Sequence, residues 1–179
     1  SGREISLPES IRIISTTDPK GMIQYANSEF EEISGFSVAE LESQPHNLVR
    51  HPDMPPAAFE NLWATLGRKK PWLGIVKNRC KNGDHYWVDA FVSPVFEGDA
   101  MVGYQSVRVK PKAGHMDRAK KLYERLNKGK SPFPWYKRMG LRARLLAWNL
   151  GTLILLLAMF QWQQPGITTP FVAATILGL

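Results

Sequence analysis

A single cysteine, Cys80, leaves this 179-residue chain without an internal disulfide, as a reducing compartment would allow. No GxGxxG glycine loop, no His/Cys cluster with metal-ligand spacing and no nucleophile–base set stands in it, so enzymatic chemistry has no visible carrier. No signal-peptide pattern opens the chain. Between Leu145 and Leu179 there is no charged residue at all, which excludes a charged, solvated surface for that stretch. Acidic residues are nearly missing from 110–144, where Asp117 and Glu124 face twelve Lys and Arg. The overall net charge of +7 therefore divides into +10 in that block and −3 over residues 1–109. A net negative N-terminal part argues against a nucleic-acid-binding face.

What the last stretch does contain is "LLAWNLGTLILLLAMFQW", eighteen residues from Leu145 to Trp162 interrupted only by Asn149. A run of that length without a polar stripe predicts a membrane-spanning helix. "QQPGITTP", Gln163 to Pro170, predicts a tight polar turn, and "FVAATILGL" a second span cut short, as in a piece of a longer protein. Arg138, Arg142 and Arg144 precede the first span and no basic residue follows it, which places the N-terminal part in the cytoplasm. Trp135 and Tyr136 among the cations of "WYKRMGLRAR" suit an interfacial anchor.

Residues 11–110 are one domain's worth of chain, preceded by a cap at 1–10 and followed by a basic linker at 111–144 and the membrane hairpin at 145–179. "IRIIST", the Pro19 and Gly21 turn, and "MIQYAN" predict a β-hairpin. Asn27 or Ser28 can cap a helix over "SEFEEISG", with Phe30 and Ile33 on one face and Gly35 at its end. Ser37 opens a short helical turn. Phe59, Leu62, Trp63 and Leu66 lie at helical spacing. Three strand-like runs follow, the first two joined by the Asn-Gly turn of "KNGD". "DRAKKLYERLN", 117–127, predicts a helix that tethers the domain, either as a plain spacer or as a carrier of signal. The expected class is α+β: a five-stranded antiparallel sheet with short helices on one face, then a linker helix and a transmembrane hairpin.

This order resembles a PAS domain, with "GMIQYANSEFEEISGFSVAELESQP" like the family's first half and "WLGIVKNRCKNGDHYWVDAFVSPV" like its closing hairpin. "PHNLVRHPDMPPAAFENLW", that hairpin and a membrane segment together resemble the N-terminal sensor of bacterial aerotaxis receptors. The resemblance implies FAD held non-covalently, redox or oxygen sensing without catalysis, and a homodimer in the inner membrane. It also implies signalling through later modules of the same receptor to the chemotaxis kinase.

A flavin ring is a flat apolar slab with a polar edge, so its pocket needs aromatic and aliphatic walls and a few convergent polar groups. Trp63, Trp72 and Ile75 are candidate walls, and Asn78 offers a donor and an acceptor to the ring edge. Asn78 also matches an asparagine that contacts the ring in flavin-binding PAS relatives. By resemblance, the Arg-His-Pro-Asp stretch that retains FAD carries onto Arg50, His51 and Asp53. Arg50 and His51 can oppose negative charge, and Asp53 can orient one of them or cap the helix after it. His46 is a ring neighbour or a plain loop residue, and Asn27 a ligand contact or a helix cap. Pro45, Pro52 and Pro55 stiffen the loop before any ligand arrives.

Two other chemistries use the same loop. A light-sensing flavin domain needs a cysteine where "NLVRHPD" stands, and Cys80 lies beside the hairpin turn instead. A haem-binding domain needs an axial histidine, which His46, His51 or His85 would supply. From a different class comes a tethered module that works only through protein contact.

Overall fold

The computed structural model describes residues 2–132 and 140–162. The chain divides into two units between residues 132 and 133. In the first, strands β1 (Ile13–Thr17) and β2 (Ile23–Ala26) form the predicted hairpin, and Gly21 occupies the turn at φ +83°. Helix α1 (Ser28–Ser34) ends at Gly35 in the left-handed region, as its glycine foretold. Helix α2 (Val38–Leu41) opens on a reciprocal capping box between Ser37 and Glu40. A 3₁₀ turn at His46–Val49 leads into the proline-rich loop and helix α3 (Pro56–Leu66).

Strands β3 (Trp72–Arg79), β4 (His85–Glu97) and β5 (Ala100–Val109) complete an antiparallel sheet of order β2-β1-β5-β4-β3. Gly83 takes φ +88° in the β3–β4 turn, where the Asp84 amide donates to Asn82 Oδ1 at 2.9 Å. The α+β expectation holds. The N-terminal segment lies along this hairpin, with Ile5 N donating to the His85 carbonyl at 2.8 Å.

Alternation along the strands sorts the two faces of the sheet. One face meets α1, α2 and the loops over a core of Ile13, Phe30, Leu41, Val49, Tyr86 and Val88, each wholly buried. Burying side chains of this size contributes about 1.5–3 kcal/mol apiece. On the other face lies α4 (Ala113–Asn127), which begins four residues before the predicted tether. Tyr123 of α4 stacks on Trp87 at 6.3 Å, its hydroxyl donates to the Ile75 carbonyl, and Asn127 Nδ2 donates to the Asp53 carbonyl at 2.7 Å.

Strand β3 is at the edge of the sheet, and three of its outward backbone groups are used within the chain. Lys77 N donates to Met54 Sδ at 3.2 Å, the Lys77 carbonyl accepts from His51 N at 3.3 Å, and Tyr123 takes the Ile75 carbonyl.

In the second unit, α5 (Leu141–Trp162) has 22 residues and contains an 18-residue window of mean hydropathy 1.7, long and apolar enough to cross a membrane. At 1.5 Å per residue it is about 33 Å long, against a bilayer core of about 30 Å. Asn149, the polar interruption, donates one amide N–H to the Leu145 carbonyl at 2.8 Å, so one of its two donors is satisfied within the helix. The expected turn at 163–170, the second span, and the Trp135 and Tyr136 anchor lie outside the described residues.

A ligand cavity on the inner face of the sheet

A cavity of about 240 Å3 opens between the inner face of the sheet, the loop at 45–50 and α3. Register explains its floor. Ser15, Ser106, Val92 and Trp72 form one row across β1, β5, β4 and β3. The next row runs Arg108, Ala90, Gly74; the small Ala90 leaves room above it, and the Trp72 ring lies over Gly74. Phe59, Leu62 and Trp63 of α3 close one side, and Trp63 packs edge-on to Tyr104 with ring centres 5.6 Å apart.

Five of the eight predicted site residues line this space: His46, Arg50, Trp63, Trp72 and Asn78. Arg50 and Asn78 are also joined by an isolated antiparallel bridge between loop and strand. The Arg50 guanidinium sits 4.0 Å over the Phe59 ring and donates to the Met54 carbonyl at 3.2 Å. Asn78, only 3 % exposed, is one of the buried polar residues of the wall.

The other three are placed elsewhere. Asn27 caps α1: its Oδ1 accepts from Ile14 N at 2.9 Å and Phe30 N at 3.3 Å, while Nδ2 donates to the Arg12 carbonyl at 2.7 Å. His51 and Asp53 point to the outer side of the loop. There the Asp53 carboxylate accepts from Lys77 Nζ at 2.7 Å, and His51 packs edge-on to His85 at 5.5 Å. The Lys77 hydrogen bond holds the Asp53 carboxyl below the usual carboxylate value. Burial first, and the Lys77 charge second, hold His51 below the ordinary histidine value.

Two expectations need correction. Asp53 does not cap the following helix, because the N-cap position falls on Pro55 and carries no side-chain hydrogen bond. Ile75 is not a cavity wall: its parity on β3 is opposite to that of Trp72, Val76 and Asn78, which do line the space.

Arg108 was not anticipated, and it dominates the electrostatics. It is 2 % exposed, its Nη2 donates to Ser15 Oγ and to His46 Nε2, both at 2.5 Å, and its guanidinium lies 4.7 Å over the Phe30 ring. Its Nη1 has no hydrogen-bond partner among the described residues, and no carboxylate among them pairs with it. Burial pulls its pKa down to about 10, still well above neutrality, so the cavity contains a cation awaiting an acceptor. Burial first, and Arg108 second, press His46 down to about 3. His46 is thus neutral and accepts the guanidinium proton at Nε2.

These observations fit a flavin ring: flat apolar walls, an amide on one side, and a buried guanidinium that needs oxygen or nitrogen acceptors. Residues 23–108 match the family model described as PAS fold. The chain is 41 % identical over 163 residues to the aerotaxis receptor of Escherichia coli strain K12, covering 91 % of this chain and 31 % of that one. It is 35 % identical over 82 residues to the nitrogen fixation regulatory protein of Klebsiella pneumoniae, covering 46 % of this chain and 17 % of the relative. The chain thus spans less than a third of the length of either relative. Among solved structures, the light state of the blue-light photoreceptor Aureochrome1 LOV superposes with a TM-score of 0.53 at 21 % identity, over 65 % of this chain and 90 % of that one. With a sheet and a sequence match that agree, residues 23–108 form a PAS domain, and the chain is similar over 163 residues to part of an aerotaxis receptor.

Proposed function

We propose that this chain is the sensory part of an aerotaxis receptor, holding FAD in the cavity and reporting redox or oxygen conditions rather than turning over a substrate. The observation that carries the reading is Arg108, a buried cation whose Nη1 has no hydrogen-bond partner among the described residues and which lines an otherwise largely apolar space. The bound flavin would supply an oxidation state that follows respiratory electron flow. Trp63, Trp72 and Leu62 would wall the ring, while Asn78 and Arg108 would meet its polar edge. Arg50 would face the phosphates at the loop side. Neutral His46 holds Arg108 in place without adding a second charge. Asn27, His51 and Asp53 support the site from behind: Asn27 by fixing α1 to β1, the other two by fixing the loop to β3.

The rest of the reading rests on the sequence's resemblance to aerotaxis receptors. The PAS domain would lie in the cytoplasm, α5 in the inner membrane, and later modules of a homodimeric receptor would engage the chemotaxis kinase. Residues 11–110 would form the sensor, 111–144 the linker. Haem ligation through His46 is disfavoured, because its Nε2 already accepts from Arg108.

An absorption spectrum of the purified chain, with the heat-released cofactor run against FAD, FMN and haem standards, tests the proposal. Flavin bands with released FAD support it. A Soret band, or a folded chain that stays colourless after incubation with FAD, overturns it.

A further inference from the structure

The Trp72 indole lies flat along its own strand. A Cβ placed on Gly74, two residues on and on the same face, would stand 2.3 Å from Trp72 Cη2 and 2.4 Å from Cζ2. No real contact is that short, so a side chain at 74 must lift the ring off the sheet. The ring is also held from the other side: its Nε1 donates to Asn61 Oδ1 of α3 at 2.9 Å. Trp72 is 8 % exposed, and a buried indole N–H without an acceptor costs free energy, so this bond selects one ring orientation. Trp72 lines the cavity, whereas neither Asn61 nor Gly74 does. The orientation of the indole therefore sets how wide the space is above Ala90 and Val92.

We propose that Asn61 and Gly74 are positioning residues for the cavity's ligand, acting through Trp72: glycine lets the ring lie down, and asparagine keeps it there. The inference rests on the flavin reading for the ligand's identity. It assigns to a helix residue outside the cavity the control of the slot that a flat aromatic ring enters. Loss of the Asn61 acceptor frees the indole to tilt, and a methyl group at 74 drives it into the slot. Either change weakens a planar ligand.

The test uses the full chain labelled with fluorotryptophan, with Trp72→Phe identifying the Trp72 fluorine resonance. FAD affinity is titrated on the same samples after cofactor removal. Asn61→Leu and Gly74→Ala are expected to move that resonance and weaken FAD by about 10-fold. Asn61→Asp keeps an oxygen acceptor and restores both readouts. Trp72→Phe combined with Gly74→Ala recovers affinity lost in Gly74→Ala alone, because the smaller ring leaves room. An unmoved resonance in both single variants overturns the proposal, and so does a moved resonance with unchanged FAD affinity. A wild-type chain that takes up no FAD overturns the flavin reading instead, and the resonance still decides whether Asn61 and Gly74 hold the ring. Failure of both single variants to fold is covered by Asn61→Asp and the double variant. If Asn61→Asp folds but leaves the ring displaced, or the double variant folds but does not recover FAD affinity, the positioning role is excluded.

Discussion

Arg50 and Asn78 are backbone partners: an isolated antiparallel bridge ties the loop to the edge strand at the one pair whose side chains both line the cavity. The bridge is made by main-chain atoms and survives truncation of either side chain. Arg50→Ala and Asn78→Ala should therefore leave the fold intact and weaken FAD by about 10-fold or more, in keeping with lost charged or amide hydrogen bonds. Gel filtration followed by the ratio of flavin to protein absorbance measures this. Full retention in both variants would remove these two residues from the site.

Arg108 should act with two signs. Its buried charge is paired with no carboxylate among the described residues, so replacing it with an apolar side chain of similar length relieves a cost in the cofactor-free protein. We expect Arg108→Met to raise the stability of the cofactor-free chain by roughly 1 kcal/mol and to abolish FAD retention. Urea unfolding of the stripped chain reads the first effect. A less stable stripped variant would mean that Arg108 is a structural pillar and not a ligand-directed cation.

His46 predicts how stability depends on pH. Its folded pKa is about 3, below the ordinary histidine value near 6.5, so the unfolded chain takes up a proton that the folded chain refuses. The stabilisation is full above pH about 6.5 and is lost as pH falls toward 3, by up to about 2 kcal/mol at pH 5. His46→Gln should flatten that slope in unfolding midpoints measured between pH 7 and pH 5. An unchanged slope would show that another group carries the dependence.

Asp53 works at lower pH and more weakly. Its carboxyl is held low by the Lys77 hydrogen bond, so the link is present above the ordinary carboxylate value and lost as pH falls through the lowered one. Because the Asp53 side chain is 66 % exposed, solvent screens the pair and Asp53→Asn should cost under about 1 kcal/mol. FAD affinity should fall only about 2- to 5-fold, less than in Arg50→Ala. A loss as large as that of Arg50→Ala would place Asp53 on the ligand after all.

Asn27→Ala is expected to behave as a cap variant. It removes two accepted and one donated hydrogen bond at the joint of α1 and β1, and should cost about 2 kcal/mol of stability. At a temperature where the variant is fully folded, FAD affinity should match the parent. A stable Asn27→Ala chain with poor affinity would reverse that assignment.

The sheet was legible because its signals are local. Alternation along β4 and the Asn-Gly turn set the hairpin, and glycines at 21, 35 and 83 all take positive φ. The cavity was legible only in part. On β5, Tyr104, Ser106 and Arg108 share a face, but serine and arginine alternating near a strand end resemble a solvated edge. Only the partner strands show that the face is covered. Ile75 misled for the opposite reason: an apolar residue in an apolar run reads as a wall until parity is counted from Asn78. His51 and Asp53 follow Arg50 in a loop without period, so nothing in their spacing tells which way each side chain turns.

The sealing of β3 has a consequence for how freely α4 can come and go. Tyr123 covers a backbone carbonyl on the sheet's edge, and an uncovered edge is a template on which a foreign strand can add. A chain in which α4 lifted away would thus risk capture by its neighbours in a crowded cell. The hydroxyl of one tyrosine serves as a guard against misassembly as much as a fastening.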